Sequence, residues 1–499
     1  MASPSVPQSE NMASGCEAPH VLLVAFSSQG HLNPMLRLGK RLSSKGLHVT
    51  LASTDIARQR ILSSLATATT TTTTTNNSTS LTIPTDPHEH PIHLQFFSDG
   101  LPLDYDRRAN LDHYMDTLGK AGPTNLSHLI TASPHNFACI VMNPFVPWVS
   151  DVATQHHIPC AMLWIQPCAL YAIYYRFYNQ LNHFPITLTD PNTTCSQLPG
   201  LPLLTTRDLP SFILPSNHFD SFPKLFSNMF KNMANIKWVL ANSFYELEKE
   251  VVDSMTQISP IRPIGPLIPP ILLGDSNSSD VGIDMWKPDE TCIEWLDNRP
   301  NSSVVYVSFG SIAVLSKNQM GSLAEGLKSS GCAFLWVVKE GELPEGFVEE
   351  VAGRGLVVKW SPQIKVLMHP SVGCFVTHCG WNSTLETVAC GVPVITFPQW
   401  SDQPTNAKLI TDVFGVGLTL RVDDQGEGDE ERIVRSEEVV RCIGEVMGGP
   451  KCGELKRRAL ELRQAARRAV TENGSSDRNI DDFIKEISGS DFPRDDQAL

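Results

Sequence analysis

The chain has 499 residues, of which 41% are apolar and 18% charged, and a formal net charge of −14. That length provides for two domains with large cores, and the negative balance excludes nucleic acid or an anionic membrane surface as the main partner. Its 12 Cys form no C-x2-C pair, which reads as reduced, mostly buried thiols in the cytoplasm, and no apolar run reaches the ~18 residues of a membrane span.

The first residues, MASPSVPQSENMASGCEAP, have neither a basic start nor an apolar stretch, so no signal peptide is read there. Residues 1–18 are polar and rich in breakers, a disordered tail. HVLLVAF (His20–Phe26) is a continuous apolar run, as in a strand covered on both faces. SSQGH turns, and NPMLRLGKRLSSKG reads as a helix with Asn33 as cap, Pro34 at its first position and Gly46 as its end. HVTLAS (His48–Ser53) completes a βαβ unit. The Thr-rich stretch 66–82 buries too little apolar area to order itself and is expected to be a flexible loop.

FACIVMN (Phe137–Asn143) and CAMLWIQ (Cys160–Gln166) are further buried strands. PIRPIGPLIPP (Pro260–Pro270) carries five prolines, a density no helix or central strand survives, so the domain linker is placed at 260–272. It separates an N-terminal domain, 19–259, from a C-terminal one, 273–470, in which the βα alternation restarts. Ser303–Ser311, Ala333–Val338, Gly355–Trp360, Gly373–His378 and Val392–Pro398 are predicted strands there, and Lys317–Lys328 a helix. In the final segment, 471–499, Ile480, Phe483, Ile484 and Ile487 make an amphipathic helix behind a Ser476 cap. The fold class is therefore α/β, two Rossmann-like doubly wound domains, with a ligand cleft at the C-terminal strand ends.

Some motifs carry no function. GSLAEGLKS (Gly321–Ser329) nearly matches a phosphate loop, but it follows no strand and reads as helix. The acidic pair in DYD (Asp104–Asp106) suggests a metal, yet the adjacent Arg107 and Arg108 favour a solvated charged loop. THCGWNS (Thr377–Ser383) differs from both. A buried strand runs through a Gly turn into a helix, whose first N–H groups attract phosphate. His378, Asn382 and Ser383 add donors, and Trp360 at another strand end offers a face on which a base stacks. Each has a plainer reading alone: Ser383-x-x-Glu386 is a capping box, His378 a core histidine and Trp360 a core aromatic.

Together these residues closely resemble the signature box of plant UDP-sugar-dependent glycosyltransferases of small molecules. The box spans 44 residues here, Trp360 to Gln403, without a gap. Its characteristic residues stand as Trp360, Gln363, His378, Gly380, Trp381, Asn382, Ser383, Glu386, Pro398, Asp402 and Gln403. The resemblance extends from GHLNP (Gly30–Pro34) to GSSDRNI (Gly474–Ile480). It implies the GT-B arrangement, two such domains facing across a cleft, with the last helix returning to the N-terminal domain. It implies that Trp360, with Ser361 beside it, stacks uracil, that Gln363 and Glu386 hold the ribose, and that His378, Asn382 and Ser383 meet the phosphates with Ser311 nearby. Trp381, Asp402 and Gln403 then bind sugar hydroxyls with Trp400 adjacent, and the terminal Gln reads as a preference for glucose. UDP-glucose would be co-substrate, with no metal or other cofactor, and a small acceptor the only other partner. A monomer is expected.

The resemblance also makes His31 the base that deprotonates the acceptor for a single inverting displacement. Its place just before a helix start disfavours imidazolium. The family's usual acidic partner is Asn143 here, and the family's Thr near the sugar is Ile165. An amide orients the ring but cannot stabilise its protonated form, which suits an acceptor that is already ionised. NPFVPWVSDVA (Asn143–Ala153) likewise resembles the branch that makes glucose esters of phenolic acids. The alternatives are O- or C-glucosylation of polyphenols and, in another class, a catalytically silent sugar-nucleotide-binding protein, against which the retained His31 argues.

Overall fold

The apolar runs become the centres of two parallel sheets. The structure, a computed structural model, describes residues 18–65, 81–83, 90–186, 192–195, 197–275, 289–310, 313–422 and 433–489. The first sheet has eight strands: β1 (His20–Val24), β2 (His48–Thr54), β3 (Leu81–Ile83), β4 (Ile92–Phe97), β5 (Phe137–Met142), β6 (Cys160–Trp164), β7 (Trp238–Ala241) and β8 (Ile261–Pro263). Their order is β3-β4-β2-β1-β5-β6-β7-β8, and only β3 runs antiparallel to its neighbour. The second holds β9 (Val304–Ser308), β10 (Ala333–Val337), β11 (Gly355–Val358), β12 (Val372–Thr377), β13 (Val394–Thr396) and β14 (Gly417–Thr419), in the order β11-β10-β9-β12-β13-β14. In each sheet the order reverses beside the first strand, at β1/β5 and at β9/β12, where a doubly wound sheet opens its crevice.

Alternation within the apolar runs explains their continuity. Leu22 and Val24 of β1, with Ile140 and Met142 of β5, join the core on one face, while Val21, Leu23, Cys139 and Val141 join that on the other. A strand covered on both sides can spare no polar position. The first of these cores runs on into the second domain, where it takes in Cys379, Trp381, Leu385 and Val388.

Several expectations need correcting. The first helix is Gln29–Ser44, so Asn33 does not cap it and Pro34 lies inside it. Residues 261–263 of the expected linker form β8, which pairs only with β7, an edge place that proline tolerates. A short helix, Pro270–Leu273, follows. Of the Thr-rich stretch and the N-terminal tail, 66–80 and 1–17 lie outside the described residues, and Leu81–Ile83 is strand β3. Arg107 is not solvated: it is buried and holds Asp99 through Nε at 2.7 Å and Nη2 at 3.0 Å. Near the end, the helix Ser475–Ile487 is capped by Gly474, and Ser476 instead donates to the Gly265 carbonyl at 2.5 Å.

That helix docks on the first sheet. Ile480 and Phe483 enter its core, Lys45 bridges Asp477 at 2.8 Å and Asp481 at 2.6 Å, and Asn479 donates to the Pro263 carbonyl at 2.8 Å. The segment 317–329, the near match to a phosphate loop, is the helix Lys317–Ser329. None of the 11 described Cys is in a disulfide. Among the described residues no helix is long and apolar enough to cross a membrane.

Candidate active site

At the first reversal point, β1 leads into the helix that bears His31, and β5 ends beside Asn143. His31 is the third residue of that helix, not a residue before it, and its main-chain N–H bonds to the Ser28 carbonyl. Asn143 is fully buried, and its Oδ1 accepts the Phe145 N–H at 3.0 Å. The same oxygen lies 3.0 Å from His31 Nδ1. An oxygen already accepting one N–H assigns the amide orientation, so Nδ1 carries the proton and Nε2 is the basic nitrogen. Nε2 has no hydrogen-bond partner among the described residues, nor is it one of the fully buried unpaired atoms, so it faces open space. The ring sits edge-on to Phe145, centroids 4.4 Å apart, and to Phe26 at 5.1 Å. Burial pushes its pKa down to about 4, against the opposing bond to Asn143, and no acidic group contributes. The imidazole is neutral.

At the second reversal point, β12 passes through Cys379, whose φ of 66° is rare for a side-chain-bearing residue, directly into the helix Trp381–Cys390. This tight turn brings His378 against β9's exit. A Cβ at Gly310 would stand 2.8 Å from the His378 ring, and one at Gly380 2.6 Å, so both positions must lack a side chain. His378 Nδ1 is buried without a partner among the described residues, and burial lowers the ring's pKa to about 4. The capping box read at Ser383 does not form, because Gly380 is the cap and Ser383 is the third helical residue. Ser383 and Glu386 instead receive one amide: Gln363 Nε2 donates to Ser383 Oγ at 2.9 Å and to Glu386 Oε2 at 2.8 Å. Gln363 Oε1 takes the Tyr306 hydroxyl at 3.3 Å, which meets Ser361 Oγ at 2.9 Å. These groups and Trp360 line a cleft of about 340 Å³ whose other wall is Gln29, Gly30, Asn33 and Arg37.

A family model described as "UDP-glucoronosyl and UDP-glucosyl transferase" matches residues 234–433. UDP-glycosyltransferase 84B1 of Arabidopsis thaliana is 45% identical over 480 residues, covering 94% of this chain and 98% of that protein. The chain belongs to this family. Limonoid UDP-glucosyltransferase of Citrus unshiu is 42% identical over 94% of the chain and 89% of its own length. Gallate 1-beta-glucosyltransferase 84A24 of Punica granatum is also 42% identical, over 94% and 88%. Among solved structures, Os79 from O. sativa in complex with UDP superimposes with a TM-score of 0.80 at 32% identity, over 94% of this chain and all of that one.

In this transferase, Trp360, Ser361, Gln363, His378, Trp381, Asn382, Ser383 and Glu386 share the cleft. Trp381 needs a correction. Its indole is buried and donates to the Asn242 carbonyl at 2.7 Å, so that N–H is not available to a sugar hydroxyl. Trp400, Asp402 and Gln403 do not line the cleft but cluster at the head of the helix Gln403–Lys408. Asn406 Nδ2 joins Asp402 (2.7 Å) to the Cys379 carbonyl (2.8 Å), and Gln403 Oε1 accepts the N–H groups of Gln399 and Trp400. Burial raises the Asp402 carboxyl above its ordinary pKa. The Trp400 indole packs on Phe212 and Phe219 of the N-terminal domain. Ser311 lies outside the described residues.

Sequence reading missed Tyr306, Asn242 and Gly310. A polar-tipped aromatic inside the apolar run SVVYVSF was the one available signal, for Tyr306. Chemically, the C-terminal wall offers a flat indole, a carboxylate paired to an amide, and the free N–H groups of a helix start. The N-terminal wall offers Gln29, Gly30, Asn33 and Arg37, while His31, with its neutral imidazole, and Asn143 are not among the residues that line the cleft, although His31 shares the first helical turn with Gln29 and Gly30. No group of three or more His, Cys, Asp or Glu suited to a metal occurs among the described residues.

Proposed function

We propose that the enzyme transfers glucose from UDP-glucose to the carboxylate of a phenolic acid, forming a 1-O-glucose ester with inversion. In this reading Trp360 stacks the uracil, Gln363 and Glu386 grip the ribose, and His378, Asn382, Ser383 and Ser311 meet the phosphates. Asp402 and Gln403, beside Trp400, hold the sugar, and Trp381 contributes only through its main chain. A carboxylate oxygen attacks the anomeric carbon while the bond to the β-phosphate oxygen breaks. UDP departs with the electron pair onto donors fixed by the helix Trp381–Cys390, and no proton has to move.

The observation that carries this reading is the partner of His31, an amide where a carboxylate would be needed to stabilise imidazolium. A base of pKa about 4 draws protons poorly from an alcohol, whereas a carboxylic acid is ionised by itself at pH 7. Of the relatives, the Punica granatum protein is by name a gallate 1-beta-glucosyltransferase, and gallate is a phenolic carboxylate.

The test is a panel of acceptors with UDP-glucose: hydroxybenzoic and cinnamic acids, flavonoids and terpenoid alcohols. Carboxylates are expected to give the highest kcat/KM, by about tenfold or more, with the rate held from pH 8 down to about pH 5, because the acid stays ionised there and its transfer requires no base. A simple alcohol outpacing the acids would overturn the reading. Alkali separates it from C-glucosylation of polyphenols, since esters hydrolyse and C-glycosides do not.

A further inference from the structure

Gly30 precedes the base His31, and its carbonyl has an unusual partner. Inside a helix this carbonyl would accept the N–H four residues on, but that residue is Pro34, which has none. Asn382 fills the gap from the opposite domain, its Nδ2 donating to the Gly30 oxygen at 2.8 Å. The approach is close, since a Cβ on Gly30 would come within 3.4 Å of that nitrogen. Trp381, the neighbour of Asn382, makes a second crossing through its indole bond to the Asn242 carbonyl at 2.7 Å. Asn242 is itself immobile: it is wholly buried, its N–H bonds to the Trp164 carbonyl at 2.8 Å, and its Oδ1 accepts the Leu267 N–H at 2.7 Å. Two consecutive residues thus fasten the start of the donor-side helix to two parts of the N-terminal domain, the exit of β7 and the first turn bearing the base.

We infer that Pro34 is a positioning residue: by denying Gly30 an intrahelical partner, it keeps that carbonyl free for Asn382, and the resulting clasp sets His31 in register with the donor cleft. The strand ends alone cannot do this, because they belong to different sheets. Registry within a few tenths of an ångström matters to transfer, where a misplacement of 1 Å costs about 10²-fold. The inference rests on His31 acting as the base for acceptors that have a proton to lose, so it is read on those acceptors.

The experiment is a double-mutant cycle with Pro34→Ala and Asn382→Ala, read as UDP release with a phenol or alcohol acceptor, whose proton His31 has to take, together with UDP affinity by calorimetry and thermal unfolding. Alanine at 34 restores an N–H that competes for Gly30. Pro34→Ala alone is expected to lower kcat about tenfold while UDP affinity stays within about twofold and the unfolding temperature does not fall. In the Asn382→Ala background, where the clasp is already gone, the same change is expected to leave kcat unaltered. An equal loss of kcat in both backgrounds, or a lowered unfolding temperature with no kinetic coupling, would make Pro34 merely structural and overturn the inference. So would an unchanged kcat in Pro34→Ala.

Discussion

Replacing His31 with alanine is expected to lower kcat/KM for phenols and alcohols by about 10²–10⁴-fold, the range general-base catalysis contributes, and for carboxylates by about tenfold at most. The difference follows from the proton. An alcohol oxygen must lose one as it attacks, and Nε2 is the unprotonated nitrogen of the pair fixed by Asn143. A carboxylate has none to lose, so for it the substitution removes only the bulk of the ring. The ring's contacts with Phe26 and Phe145 are edge contacts on a half-buried side chain, so the variant should unfold near the wild-type temperature. Initial rates on one acid and one alcohol decide the matter. Equal losses on both would mean that His31 acts by shape alone.

Asn143→Asp should do the reverse and convert the enzyme toward alcohols. The Asn143 Nδ2 is buried and unpaired among the described residues, so exchanging it for oxygen sacrifices no hydrogen bond, while Oδ1 keeps those from His31 and Phe145. The new carboxylate favours imidazolium and so raises the ring's pKa from about 4. A stronger base should increase kcat/KM for alcohols by about 10–100-fold and leave ester formation nearly unchanged. The pH profile moves in a defined direction. With Asn143 the base stays neutral down to about pH 4, whereas with Asp a raised pKa brings the acid limb of the alcohol reaction upward, since the base must be neutral to accept a proton. The cost is stability, for a carboxylate at a site with no solvent exposure has only the imidazolium to pair with. An alcohol rate that does not rise, with the acid limb unmoved, would remove Asn143 from the explanation of acceptor choice.

The elements legible in the sequence were those with one unambiguous cause. β1, β5, β6, β9, β10 and β12 are largely apolar because both faces are covered, with polar residues mainly at their ends (His20, Ser308, Thr377), and each was recognised to within a few residues. β4, IHLQFF, breaks that pattern with His93 and Gln95 on its half-covered face. β7 and β14 are four and three residues long, too short for periodicity to speak. The helix Gln29–Ser44 misled in the opposite way. Pro34 ordinarily marks a first turn, but here it sits inside, and its missing N–H is compensated from another domain. No local rule anticipates a partner 352 residues away. The C-terminal wall of the cleft was readable because most of the residues that line it lie within one contiguous box. The pairing of His31 with Asn143, 112 residues apart, was reachable only through the family resemblance, since it depends on β1 and β5 being neighbours.

The most direct measurement uses an acceptor that carries both competing groups, a hydroxybenzoate with one carboxyl and one phenol. Incubation with UDP-glucose and analysis of the product by nuclear magnetic resonance shows which atom the anomeric carbon has joined. Attachment to the carboxyl oxygen, with inverted configuration and loss of the sugar in mild alkali, is the expected result. Glucose on the phenol oxygen or on a ring carbon, with the carboxyl left free, would contradict the account.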